Sequence, residues 1–151
     1  MSIFNAFNAS ASALTAQRLR MDVISSNIAN ANTTRATVNE NGEFVPYRRK
    51  MVEIEPSDKS FQSYLHKATN MSNNPASGVK VTGIVEDEEP FKLVYNPTHP
   101  DANDAGYVQM PNVDPLKEMV DLMSATRSYE ANITALNASK SMLMKALEIG
   151  K

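Results

Sequence analysis

The chain contains no cysteine and no tryptophan. Without cysteine there is no disulfide framework, no zinc ribbon and no thiol nucleophile. Aromatic residues make up only 7% of the 151 positions, so a large aromatic core is excluded. That length suits one ordinary domain, or a small domain with long flanking elements. No apolar run approaches the roughly 20 residues needed to span a bilayer, so membrane insertion is not expected. Neither charge sign dominates: 15 Lys and Arg stand against 17 Asp and Glu, a net charge of -2, which argues against a nucleic-acid partner. Walker A, G-x-G-x-x-G, G-x-S-x-G and H-E-x-x-H signatures are all missing.

The residues that could carry chemistry are few. His66 sits in a polar stretch and His99 between Thr98 and Pro100; solvent exposure or turn packing fits both better than ligation. Asp101-Ala102-Asn103-Asp104-Ala105-Gly106 superficially suggests a calcium loop. In that register the fifth position is Ala105 and the twelfth is Asn112, where a bidentate Glu is required, so an Asx-rich turn is the better account. Glu53 and Glu55 on one strand face are the best acid–base pair available, a slender basis for a wall hydrolase. Glu86 to Glu89 reads as a solvated turn, and Arg48-Arg49-Lys50 as an exposed face or an inter-subunit pair. No catalytic residue, metal, cofactor or small-molecule substrate is expected.

What is present falls into three pieces. Residues 1–34 are rich in Ala, Ser, Asn and Thr and hold neither Gly nor Pro. Residues 35–112 contain nearly all the Pro and Gly, and residues 113–151 return to a helical pattern. In the first piece Phe7, Leu14, Met21 and Ile28 recur every seven residues, a narrow stripe that faces another helix. In the last, Asp114 can cap a helix whose first position is Pro115. Met119, Leu122, Thr126, Tyr129, Ile133, Leu136, Lys140, Leu143 and Leu147 then alternate three and four apart. The middle piece alternates with period two at Val79–Glu86 and Phe91–Tyr95, with further strands at Tyr47–Glu55 and Tyr107–Met110. Asp87-Glu88-Glu89-Pro90 reads as the hairpin loop between the first two. Residues 57–78 read as a flexible loop. The expected fold is α+β: two long terminal helices form an antiparallel, coiled-coil-like hairpin, with a small antiparallel sheet of three or four strands between them. Both terminal segments bury little alone, so order in the free chain is expected mainly over residues 36–112.

The ends decide the function. Ser25-Ser26-Asn27-Ile28-Ala29-Asn30-Ala31-Asn32-Thr33-Thr34 closes the first helix, and Ser128-Tyr129-Glu130-Ala131-Asn132 lies inside the last. This pair resembles the terminal signatures of the bacterial flagellar axial proteins, the rod, hook and hook-associated subunits. Pro46-Tyr47-Arg48-Arg49-Lys50, Leu93-Val94-Tyr95-Asn96-Pro97, His99-Pro100-Asp101-Ala102 and Gly106 to Val113 resemble the proximal rod subtype. Arg35-Ala36 after the Thr pair fits that subtype rather than the hook.

The resemblance implies a structural role. Terminal helices would pack to line the inner tube of an axial structure, with the β piece outside. The partners would be further copies, other rod subunits in a helical assembly, proteins at the inner-membrane ring and export gate, and the flagellar type III export machinery. Composition alone, with the first charge at Arg18 and no secretory pattern, points to the cytosol. The resemblance replaces that with the periplasmic rod of the basal body, reached without a cleaved signal. Another secreted helical filament or adaptor subunit is the alternative. Expected assembly residues are Phe7, Leu14, Met21, Asn27, Ile28, Ala29, Asn30, Met119, Leu122, Tyr129, Asn132, Ile133, Leu136 and Leu143. Asn27 and Asn30 share a face near the helix end, where their amides are expected to reach a neighbouring subunit.

Overall fold

The structure, a computed structural model of the chain, describes residues 3–40, 42–57 and 78–150, with side chains from residue 6 onward. It is α+β. Among the described residues two long helices, α1 (Ile3–Ala29) and α2 (Pro115–Ile149), flank three two-stranded ribbons. The ribbons pair β1 (Thr37–Val38) with β2 (Phe44–Val45), β3 (Lys50–Pro56) with β4 (Val79–Glu86), and β5 (Lys92–Tyr95) with β6 (Tyr107–Met110). The described residues fall into two compact units. One gathers residues 3–20, 53–57, 78–83 and 124–150; the other gathers 21–40, 42–52 and 84–123.

The start of α2 and the end of α1 lie where local chemistry dictates. The Asp114 carboxylate accepts from the Leu116 N–H at 3.0 Å, and the Asp114 carbonyl accepts the first helical bond from Glu118. Pro115 at the first position lacks only a donor that has no helical partner there. At the other end of α1, the Asn30 amide turns back onto the Ser26 carbonyl at 2.9 Å, and the Thr33 hydroxyl donates to the Asn30 Oδ1.

The single sheet of three or four strands is not what forms. Residues 87–90 do not close a hairpin between β4 and β5. The Asp87 N–H donates to the Arg49 carbonyl at one end of the β3–β4 ribbon, and the Ser57 N–H donates to the Gly78 carbonyl at the other. β4 therefore returns along β3, and β5 pairs instead with β6, from Lys92 opposite Met110 to Tyr95 opposite Tyr107. The β1–β2 ribbon was not foreseen; its two-residue strands are too short to show a period. The loop expected at 57–78, with His66, lies outside the described residues apart from Ser57 and Gly78. Gly78 marks a close approach, since a Cβ there would run into the Ser12 Oγ that accepts from the Val79 N–H. Gly106 has φ +80°, and a Cβ would meet the Tyr95 ring at 2.9 Å.

The Asx-rich turn is present. The Asn103 Oδ1 accepts from the N–H groups of Ala105 and Tyr107. His99 packs in the same turn, its Nδ1 accepting from the Asp101 N–H at 3.1 Å.

Along α2, the less exposed positions include Glu118, Leu122, Ala125, Tyr129, Asn132, Leu136, Ser139 and Leu143. Their spacing alternates four and three, so the heptad is real. Leu122, Tyr129, Leu136 and Leu143 are the positions expected. The alternate seam lies one residue earlier than the apolar pattern suggests: Glu118, Ala125, Asn132 and Ser139 turn inward, while Met119, Ile133 and Lys140 are exposed. Small and polar side chains line this seam, with Glu118 and Ala125 completely buried.

Candidate functional site

The most completely buried polar side chains of the described residues, Glu118 and Asn27, lie in the unit formed by 21–52 and 84–123. The Asn27 side chain, on the last turns of α1, is 1% exposed. Its Nδ2 donates to the Lys50 carbonyl at 2.8 Å and to the Glu118 Oε2 at 3.0 Å. Its Oδ1 accepts from the Lys50 N–H and from the Tyr47 hydroxyl, both at 3.0 Å. An amide has two donors and two acceptor positions, and all four are filled. The pair of bonds to Lys50 copies the way a neighbouring strand would engage that peptide.

Glu118 is fully buried in the first turns of α2. A carboxylate out of water is costly unless paired and hydrogen-bonded. Here its Oε1 accepts from the Arg49 Nε at 2.6 Å while its Oε2 accepts from Asn27. The Arg49 guanidinium also reaches Asp87 at 3.2 Å and, more distantly, Asp121 at 3.5 Å. The planar fork of Arg suits this sharing. Burial works against its charge, and the bonds to Glu118 and Asp87 outweigh that, holding its pKa above the ordinary value. The Asp87 carboxyl is held below its usual range, first by the Glu89 N–H and then, against a desolvation cost, by Arg49. Asn112, 5% exposed, completes the cluster: its Oδ1 accepts from the Arg49 N–H and its Nδ2 donates to the Glu89 carbonyl.

A smaller polar node ties the exit of α1 to the Asx turn. The Arg35 Nε donates to Asp101 at 2.7 Å and the Thr34 hydroxyl donates to the other carboxylate oxygen at 2.9 Å. Those contacts hold the Asp101 pKa down, Arg35 contributing most. The Arg35 guanidinium lies 4.8 Å above the Phe44 ring.

Several expectations need correction. The Asn27 amide does not reach outward, because every bonding position is engaged within the chain. Arg49 is not on an exposed face; only 13% of its side chain is accessible. The Glu86–Glu89 turn is not wholly solvated, since Asp87 is bonded inward. Within the chain, Asn27 and Glu118 fix the end of α1 and the start of α2 to the β region. Asn30 keeps its bonds local, as does Asn132, which donates to the Ser128 carbonyl.

The remaining candidates lie along the helices. Leu14, Met21, Ile28, Leu122, Tyr129, Leu136 and Leu143 are half-buried, Ala29 is exposed, and Phe7, Met119 and Ile133 present apolar surface. Tyr47, Asp87, Asn112 and Glu118 were missed as site residues. Glu118 had a signal: it sits four residues before Leu122 and one heptad before Ala125, a carboxylate on the inner stripe. Among the described residues no cluster of His, Asp and Glu is arranged to hold a metal ion, and no helix is long and apolar enough to cross a membrane.

The comparisons follow the same two ends. Residues 7–37 match the family described as flagella basal body rod protein, and residues 104–149 match the C-terminal family of flagellar basal body rod FlgEFG proteins. The flagellar basal-body rod protein FlgC of Bacillus subtilis is 65% identical over 151 residues, covering all of both chains. The FlgC protein of Borreliella burgdorferi is 43% identical, over 99% of this chain and 98% of its own. That of Salmonella typhimurium is 42% identical over the whole of both. With helix ends, β ribbons and turn motifs all inside one uninterrupted match, the chain belongs to the flagellar basal-body rod protein FlgC family.

Proposed function

We propose that this chain is a structural subunit of the proximal rod of the flagellar basal body. It polymerises through its terminal helices, with further copies and with other rod subunits, into a helical shaft that transmits torque and encloses the export channel. The observation that carries this reading is the outward face of α2. Leu116, Met119, Val120 and Met123 are spaced i, i+3, i+4 and i+7, on the side of the helix away from Glu118, Leu122 and Ala125, and each is at least half exposed. Met142, Met144, Leu147 and Ile149 expose further apolar surface. A helix apolar on more than its inner stripe is built to be covered on more than one side. Contacts of that kind between unlike patches generate an open helical assembly when the rotation between neighbours does not close a ring.

The finer parts of the proposal follow from kinship. The rod would lie in the periplasm, adjoining the inner-membrane ring and export gate, and the subunit would arrive through the flagellar type III export machinery without a cleaved signal. Its role is architectural rather than catalytic. Phe7, Leu14, Met21, Ile28, Ala29, Asn30, Met119, Leu122, Tyr129, Asn132, Ile133, Leu136 and Leu143 are the assembly residues proposed.

The test is complementation. Expression in a motile bacterium whose own proximal rod subunit has been deleted should restore swimming, and the chain should co-purify with detergent-extracted basal bodies. Failure of a stably produced chain to enter basal bodies of a close relative would refute the reading.

A further inference from the structure

We propose that the cluster around Asn27 is an interlock, which lets the last turn of α1, the start of β3 and the first turns of α2 become ordered only together. Asn27 is its central positioning residue. The inference rests on the geometry of one unit and does not depend on the rod reading.

Three observations carry it. First, each segment brings a group that is costly to bury alone. α1 brings an amide, α2 brings the Glu118 carboxylate, and β3 with the residue before it brings the Lys50 peptide and the Arg49 guanidinium. Remove any one segment and a buried amide or charge is left without its partner, which is the condition proteins avoid most strongly. Second, Asn27 engages Lys50 through backbone atoms on both sides of the residue. Those bonds require β3 to start at that residue and are indifferent to its side chain. A slip of one residue would reverse the face presented. Third, the bonds span 23 residues to Lys50 and 91 to Glu118. The two termini are thus joined through a middle segment, with no valence of the amide left for anything else.

A polar network satisfied only when complete gives a sharply cooperative element. The consequence is mutual dependence: α1 and α2 do not close on each other at this end unless β3 is in place as well.

Amide hydrogen exchange on the full-length chain tests this. Asn27→Ala should lower protection at least tenfold at Lys50 and across Met119–Leu122, as well as at the end of α1. Asn30→Ala, whose bonds are local, should leave Lys50 and α2 unchanged. Loss confined to residues 26–30 in the Asn27→Ala protein would overturn the interlock and leave an ordinary helix terminus.

Should Asn27→Ala unfold the chain, a reversal of the Asn27–Glu118 bond still decides. N27D places two carboxylates together, whereas N27D/E118Q restores a donor facing an acceptor. The double variant should recover protection at Met119–Leu122 at least tenfold over N27D alone. Equal or lower protection in the double variant would refute direct coupling of the two helices through this pair.

Discussion

At the scale of single residues, the chain places ionic groups where water is scarce and then compensates each of them. Arg49 serves Glu118, Asp87 and Asp121, and the fold favours the charged form of Asp87. The Asp87 pKa is depressed from an ordinary value of 3.8, and Asp101 is depressed as well. A depressed carboxylate contributes stability that is fully present above its unfolded pKa and is lost as pH falls through the folded one. The window therefore lies below about pH 4, and neutral conditions carry the full contribution. Asp87→Asn should cost about 1 kcal/mol near neutral pH, less than the roughly 1.5–3 kcal/mol of a fully buried charge-assisted bond because water still reaches this side chain. The cost should shrink as pH falls below about 4 and the native carboxylate takes up its proton. Urea unfolding of both proteins across that range checks the sign; a deficit that grew on acidification would contradict it.

Secondary-structure elements carry the next level of argument, and α2 is the instructive one. Its heptad was legible from the apolar residues, and Leu122, Tyr129, Leu136 and Leu143 do form one half of the inner stripe. The other half was not legible. An apolar pattern marks residues that avoid water somewhere, in the chain or in an assembly, and it cannot say which. Met119 and Ile133 satisfy the pattern but face outward, while Ala125 is completely buried. The same ambiguity hid the strand partners: Val79–Glu86 alternates well, yet nothing in that alternation says that Arg49 and Asp87 close a ribbon with β3. Strand existence is a local property, whereas pairing is decided by side chains far away in sequence. Ala125 supplies a direct test of the seam. Ala125→Leu adds bulk at a position with no room and should destabilise the chain by roughly 1–3 kcal/mol, read as a lower urea or thermal midpoint. Were the seam to pass through Thr126 instead, the larger side chain would be tolerated, and an unchanged midpoint would restore the simple apolar register.

For the whole molecule, the proposed outward interface of α2 can be probed apart from the fold, because Leu116, Met119, Val120 and Met123 lie on a different face from the inner stripe. The 151 residues carry a net charge of -2, too little to keep copies apart by repulsion, and α2 leaves large apolar side chains uncovered. Met123 is 55% exposed on the face shared with Leu116, Met119 and Val120; Leu136 is half-buried on the inner stripe. Met123→Ser removes little from the folded chain, and its unfolding midpoint should stay within about 0.5 kcal/mol of the parent, as for other surface changes. Leu136→Asp places a charge in the seam, where an unpaired buried charge costs several kcal/mol, so it should weaken the chain itself before assembly is considered. In a helical assembly each subunit repeats the same contacts, so a loss of about 1–2 kcal/mol per contact lowers each association step by roughly 5- to 30-fold. Met123→Ser should therefore yield a stable, well-folded subunit that is depleted from isolated basal bodies, with reduced swimming. Leu136→Asp should be depleted from basal bodies and also unfold at lower urea. Parental abundance of Met123→Ser in basal bodies of fully motile cells would show that the outward face of α2 is not an interface, and that its exposed methionines are covered by nothing the rod requires.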